Sequence, residues 1–173
     1  GGLKWGDTHA MVEHMRKIAF REGVGNVLAE GTGKAAAKLG HPELAMAVKG
    51  QGIPAYDPRG LKGMGIGFAT SNRGACHLRA TFYKPELSGI VDREQIEGKV
   101  KIFTEWEDRL TIFDTLVLCR FYRDLYQWEQ LAEMIKGATG LELDAAALRG
   151  IASAVTDDAR RFNLREGLTV QDD

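Results

Sequence analysis

Cysteine is nearly absent: the 173 residues carry only Cys76 and Cys119. Two thiols are too few for a disulfide-rich secreted scaffold and, by themselves, too few for a zinc ribbon or an iron–sulfur cluster. Net charge is missing too. Lys and Arg number 23 against 24 Asp and Glu, a formal charge of −1 with a pI near 6.5. That balance gives no general grip on nucleic acid or an anionic membrane and leaves only local basic patches. No run of about 18 apolar residues occurs, and the start Gly-Gly-Leu-Lys-Trp lacks the charged and apolar regions of a secretion signal. The first residue is not Met, which predicts a processed chain or one cut from something longer. There is no internal repeat and no low-complexity segment.

In bulk the composition is ordinary, 44% hydrophobic and 27% charged, enough to bury a core without disulfides or a structural metal. Glycine is the exception, with 21 residues or about 12% where about 7% is usual. Apolar residues recur at helical spacing nearly throughout, and sustained alternation is scarce, so the chain reads as all-α and multihelical. Asp7 is placed to cap a first helix with Met11, Met15 and Ile18 on its inner face and Gly23 at its C-terminal turn. Residues 26–39 read as a weaker helix interrupted by Gly31 and Gly33 and stopped by Gly40, and 44–49 as a single short strand. Residues 50–60 then hold two prolines and three glycines, the best domain boundary or functional loop, dividing 1–49 from 50–173.

Beyond the break, residues 60–77 read as a glycine-rich helix. Asp92 and Gln95 resemble a capping box for a helix burying Ile96, Val100, Phe103, Trp106 and Leu110. Residues 114–123 form another apolar run. Residues 128–138 and 144–162 read as the last helices, with Leu148, Ile151, Val155, Ala159 and Phe162 in register on the second.

Several patterns invite chemistry. Gly31-Thr-Gly-Lys34 suggests a phosphate loop, but Leu28 and Ala35 stand where that motif requires Gly and Ser or Thr. The glycines at 60, 63, 65 and 67 have the wrong spacing for a dinucleotide fingerprint and serve close approach of a helix or a ligand. Asp57-Pro-Arg-Gly60 is turn chemistry. In Arg73-Gly-Ala-Cys-His-Leu-Arg79 the adjacent Cys76 and His77 would diverge and make a poor chelate, while two flanking guanidiniums suit an anion. Taken alone, Cys119 reads as a buried small hydrophobe and Asp114 as a helix cap. His9, His14 and His41 read as surface or packing residues, and 105–109 as a solvated face.

Five segments in order change that picture. They are Leu3-Lys-Trp-Gly-Asp7 with Lys17-Ile-Ala-Phe-Arg-Glu-Gly23; Pro54-Ala-Tyr-Asp-Pro-Arg-Gly60; Ala69-Thr-Ser-Asn-Arg-Gly-Ala-Cys-His77; Asp114-Thr-Leu-Val-Leu-Cys-Arg-Phe121; and Phe162-Asn-Leu-Arg-Glu-Gly-Leu-Thr169 with Asp172-Asp173. Together they closely resemble the tungsten-containing aldehyde ferredoxin oxidoreductase family. The resemblance implies a large cytoplasmic enzyme with a bis-pterin tungsten (or molybdenum) centre beside one [4Fe-4S] cluster, oxidising aldehydes to carboxylic acids and passing electrons to ferredoxin. Residues 1–49 would end its first helical domain and 50–173 would form most of its second. The β-rich base domain, a three-cysteine cluster motif and the first pterin motif would come from the missing N-terminal part of the same chain, with a homodimer left open.

The resemblance also assigns roles. Asp114 matches the acid of the second pterin motif, Cys119 the fourth cluster ligand and His77 the histidine near the metal. Leu118 lies on the same motif, and Arg73 and Arg79 lie where pterin contacts are expected. The glycines at 60, 63, 65 and 67 would lie against the planar cofactor. Val117 departs from the pattern, standing where the motif has Gly. With one of four cluster ligands, the isolated 173 residues are expected to hold neither tungsten nor iron and to be inactive. The alternatives are a non-catalytic helical scaffold, and family relatives that reduce aromatic acyl thioesters or oxidise sugar-phosphate aldehydes.

Overall fold

Eight α-helices, three 3-10 turns and one hairpin of two-residue strands make up the regular structure of residues 3–172, which the computed structural model describes. Asp173, the last residue of the fifth matching segment, lies outside the described residues. The helices are α1 (Thr8–Phe20), α2 (Val24–Leu28), α3 (Thr32–Lys38), α4 (Lys62–Thr70), α5 (Tyr83–Leu87), α6 (Lys99–Thr115), α7 (Trp128–Thr139) and α8 (Ala145–Arg165). The all-α expectation holds. The chain divides into two compact units, Gly1–Ile53 and Pro54–Asp173, within the glycine- and proline-rich break.

In the first unit, Asp7 caps α1 by accepting from the Ala10 N–H at 2.9 Å. The helix ends two residues earlier than glycine placement predicts: Arg21 takes the left-handed conformation at φ 54°, and Gly23 opens α2 instead. The expected inner face is not covered within this unit, where Met11, Met15 and Ile18 remain 47%, 67% and 37% exposed. The short α2 and α3 are the helices that follow it, and they are too brief to shield a 13-residue partner. Gly31 separates those two as the N-cap of α3, whereas Gly33 sits inside α3 and interrupts nothing. The segment read as one strand is a hairpin of β1 (Ala47–Val48) and β2 (Gln51–Gly52), paired antiparallel with Ala47 opposite Gly52 and Val48 opposite Gln51. Its two turn residues, Lys49 and Gly50, have φ of 49° and 76°, the pair of positive angles that a two-residue hairpin turn requires.

The second unit is organised on α6. Its C-terminal half packs Ile112 and Phe113 with Trp128, Leu131 and Ile135 of α7 and Leu148 and Ala152 of α8 in one buried apolar cluster. Midway, Glu105 accepts from Trp128 Nε1 at 2.5 Å and from Arg149 Nε at 3.0 Å, while the Arg149 guanidinium lies 4.7 Å above the Trp128 ring. The stretch 105–109 is therefore a clamp on α7 and α8 and not a solvated face.

The N-terminal end of α6 departs from the capping-box reading. Gly98 is the N-cap, and Asp92 closes a local turn on the Glu94 N–H. Ile96 and Val100 are 87% and 64% exposed because the buried position at the helix start belongs to Lys99. Its ammonium donates to Glu86 Oε1 and to the Arg93 carbonyl, each at 2.7 Å, and Glu86 Oε1 also accepts from the Gly63 N–H at 2.8 Å. On α8, Leu148 and Ala152 are buried, but Ile151, Val155 and Phe162 stay 38%, 41% and 53% exposed, so only part of the predicted stripe faces the core.

Two of the four suspicious glycines serve contacts within the chain. A Cβ on Gly63 would lie 2.0 Å from the Phe82 ring, and one on Gly67 would lie 3.4 Å from Phe103. At Gly63 the buried Phe82 ring, and not a planar ligand, sets the size limit, whereas the Gly67 contact is an ordinary one. Gly65 also differs from Gly63, since its Cβ would meet Pro58 at an ordinary 3.5 Å. Gly63→Ala is therefore expected to cost about 1–3 kcal/mol through overpacking. Gly65→Ala should be neutral or stabilise by up to about 1 kcal/mol through helix propensity. Denaturant unfolding of both variants checks the contrast.

Candidate functional site

Helix α6 ends on a sequence-encoded reversal. The Leu118 N–H reaches the Phe113 carbonyl at 2.8 Å and the Val117 N–H reaches that of Asp114 at 3.0 Å, with Val117 left-handed at φ 57°. This is a Schellman turn, normally completed by glycine because a side chain, above all a β-branched one, is strained at that angle. The turn sends Leu118 back onto the apolar cluster and leaves Cys119 exposed. The reading of Cys119 as a buried small hydrophobe fails here, and so does that of Asp114 as a cap, since it occupies the last helical turn.

Two guanidiniums converge on Asp114. Arg79 Nη1 lies 3.2 Å from its carboxylate. Arg120, in the 3-10 turn Arg120–Tyr122, donates to the same oxygen and to the Leu78 carbonyl. Arg120 thus ties the end of α6 to the segment 71–82.

That segment holds the remaining predicted residues. Arg73 does not reach Asp114; its Nε and Nη2 donate to Cys76 Sγ at 3.1 and 2.9 Å, and the Leu78 N–H approaches the same sulfur at 3.4 Å. Burial alone would push the Cys76 thiol up, but the Leu78 N–H and the Arg73 guanidinium outweigh it and hold the thiol below its ordinary value. His77 stacks on Tyr56 at 5.1 Å, and Tyr56 stacks on Tyr83 at 4.4 Å. Burial, then the Arg73 charge, holds the imidazole below its ordinary value and so neutral near pH 7. Four buried polar atoms of this segment have no hydrogen-bond partner: Ser71 Oγ, Asn72 Oδ1, Arg79 Nε and Thr81 Oγ1. Unpaired buried donors and acceptors are costly, and several in one short segment suit a surface that meets a polar ligand.

The structure thus brings Arg79 and Asp114 together, sets Leu118 beneath and Cys119 beyond them on one turn, and keeps Arg73 on Cys76. Sequence reasoning missed Arg120, although it adjoins Cys119, and Tyr56, although it sits in Pro54-Ala-Tyr-Asp-Pro-Arg-Gly60. Asp57 behaves as the turn residue expected, with Arg59 side-chain and backbone N–H groups drawing its pKa down to about 2. Among the described residues no group of three or more His, Cys, Asp or Glu is arranged to hold a metal ion. Cys119 is a single soft donor. It fits a cluster only when other thiolates complete the set, and Asp114 with the unpaired Arg79 Nε fits a polar ring edge.

An exposed thiol and a guanidinium-clamped carboxylate on one helix end mark an α-helical module with a concentrated polar site. The particular family follows from comparison. All of residues 1–173 match the family model described as "Aldehyde ferredoxin oxidoreductase, domains 2 & 3", and the chain belongs to this family. It is 36% identical over 170 residues to the tungsten-containing aldehyde ferredoxin oxidoreductase of Pyrococcus furiosus. The proteins of the same name from Thermococcus kodakarensis and Pyrococcus horikoshii are 35% and 36% identical. Each alignment covers 96% of this chain but 28% of the relative, so the chain spans little more than a quarter of their length. No helix among the described residues is long and apolar enough to cross a membrane.

Two outcomes follow for this site. Val117→Gly should relieve the left-handed strain and stabilise the fold by about 1 kcal/mol, net of glycine's greater freedom when unfolded, as read by denaturant unfolding. Arg73→Met should move the His77 titration midpoint upward toward the ordinary imidazole value of about 6.5, as read by proton NMR.

Proposed function

We propose that this chain is the helical, cofactor-facing part of a cytoplasmic aldehyde ferredoxin oxidoreductase. Residues 1–49 end its first helical domain and 50–173 form most of its second. The enzyme oxidises aldehydes to carboxylic acids at a bis-pterin tungsten centre and sends electrons through a [4Fe-4S] cluster to ferredoxin. The observation that carries the reading is the turn 114–119, where a clamped carboxylate, a partly buried leucine and an exposed thiol follow one another on a helix end. Family membership over the whole chain supports it.

When bound, the metal centre supplies a two-electron acceptor and the cluster a one-electron exit. The chain's own residues orient and proton-balance that chemistry. Asp114 accepts from the N–H and amino group at one pterin edge, its orientation fixed by Arg79 and Arg120. Arg79 Nε, buried and unpaired, is a donor available at the same edge. Cys119 ligates one iron from its exposed position, and Leu118, anchored in the apolar cluster, fixes where that thiol sits. His77, neutral and held by the Tyr56 ring, can accept a proton at the substrate as oxygen is added to the aldehyde carbon.

Cys119→Ala in the full-length parent is expected to cost the cluster, seen as lost iron and lost visible absorbance. A full [4Fe-4S] signal in that variant would overturn the assignment and return Asp114 and Cys119 to structural roles.

A further inference from the structure

Cys76 lies one residue from His77, is 2% exposed, and has no part in the chemistry above. Three N–H groups point at its sulfur: the Arg73 Nε and Nη2 fork at 3.1 and 2.9 Å, and the Leu78 backbone at 3.4 Å. A guanidinium fork closed on one atom is the geometry of an anion site, whereas a neutral thiol is a weak acceptor with a proton of its own to place.

The surroundings make the same demand. Arg79 and Arg120 are partly buried and Arg73 is exposed, and all three guanidiniums lie close enough to the Cys76 sulfur to act on it. Opposite them stands Asp114, which Arg79 and Arg120 share. Arg79 and Arg120 thus have a carboxylate to share, whereas the Arg73 fork closes on the Cys76 sulfur, where a thiolate supplies the counter-charge that a neutral thiol would not. Glu107 also faces Arg79 from α6, its carboxyl held above the ordinary range by burial and then by Asp108. His77, kept neutral, adds no charge of its own.

We propose that Cys76 is a buried thiolate, the inner counter-ion that positions Arg73 and Arg79 and, through Arg79, the Asp114 carboxylate and the turn bearing Cys119. The charges then alternate as Arg73, Cys76, Arg79, Asp114 and Arg120, joining the segment 71–82 to the end of α6. Cys76 is a positioning residue. Its effect on Cys119 rests on the function proposed above, but its ionisation does not.

The test compares the full-length parent with its Cys76→Ser and Cys76→Asp variants. A thiol ionised more readily in the folded than in the unfolded state contributes stability above the unfolded value and loses it as pH falls. The thermal midpoint of the parent, relative to Cys76→Ser, should therefore rise as pH increases toward the ordinary thiol value of about 8.5 and level off above it. Cys76→Asp, charged throughout that range, should show no such rise relative to Cys76→Ser. A difference between parent and Cys76→Ser that is flat with pH would overturn the thiolate. For positioning, bound iron per chain should stay at the parent level in Cys76→Asp and fall severalfold in Cys76→Ser. Equal iron in all three would overturn the link to Cys119. A parent without iron would instead count against the proposed function and leave the pH profile to decide the thiolate.

Discussion

Asp114 is the point on which the second unit's chemistry depends. Its carboxylate takes Arg79 from the segment 71–82 and Arg120 from the turn just beyond it, and Arg120 also holds the Leu78 carbonyl. One charged group thereby connects two stretches that are far apart in sequence and carry nearly every candidate functional residue. Ion pairs of this exposure contribute little to stability by themselves, since water screens them and flexible side chains must be ordered. Their value here is geometric: a carboxylate held from two sides has few orientations left. The Schellman turn beneath it does the same for the backbone, packing Leu118 against the apolar cluster and presenting Cys119.

Helix α6 turns this local geometry into a rigid platform. At its start Lys99 and Glu86 form an ion pair with side chains 5% and 0% exposed, which ties α6 to α5 and, through the Gly63 N–H, to α4. Such a pair is weak evidence for stability, because desolvation offsets most of the attraction, and Glu86 Oε2 is left without a partner. It does specify which face of α6 turns inward. At mid-helix Glu105 binds Trp128 and Arg149, and in the last two turns Ile112 and Phe113 enter the apolar cluster. Three different kinds of contact fix three levels of one helix, so its end is not free to shift relative to α7 and α8.

Much of this was legible in the residues. The all-α class, the Asp7 cap, the positions of α7 and α8 and the break near residues 50–60 follow from spacing and turn chemistry. Less legible was which apolar residues are buried. Ile96, Val100, Val155 and Phe162 lie at helical spacing yet remain exposed, because periodicity marks an apolar face without saying whether a neighbour covers it. The inward turn of Lys99 was hidden as well, since its partner Glu86 is 13 residues away and the pairing exists only once α5 and α6 meet. Arg73 shows the limit for the site: two arginines around one histidine predict an anion, but not that the anion would be the sulfur of Cys76.

By itself the sequence determined the helical class, the family and the identity of the candidate groups, because propensity, capping and ordered motifs are local properties of the chain. Only tertiary structure decided how those groups are used. It closed Arg73 on Cys76 while pairing Arg79 with Asp114, put Asp114 between Arg79 and Arg120, exposed Cys119 and held Val117 at a left-handed angle where glycine is favoured. It also reassigned part of the glycine excess, with Gly63 giving way to the Phe82 ring. The physical reason is the same in each case. Charge pairing and close packing depend on distances between residues remote along the chain, and those distances exist only when the helices are in contact.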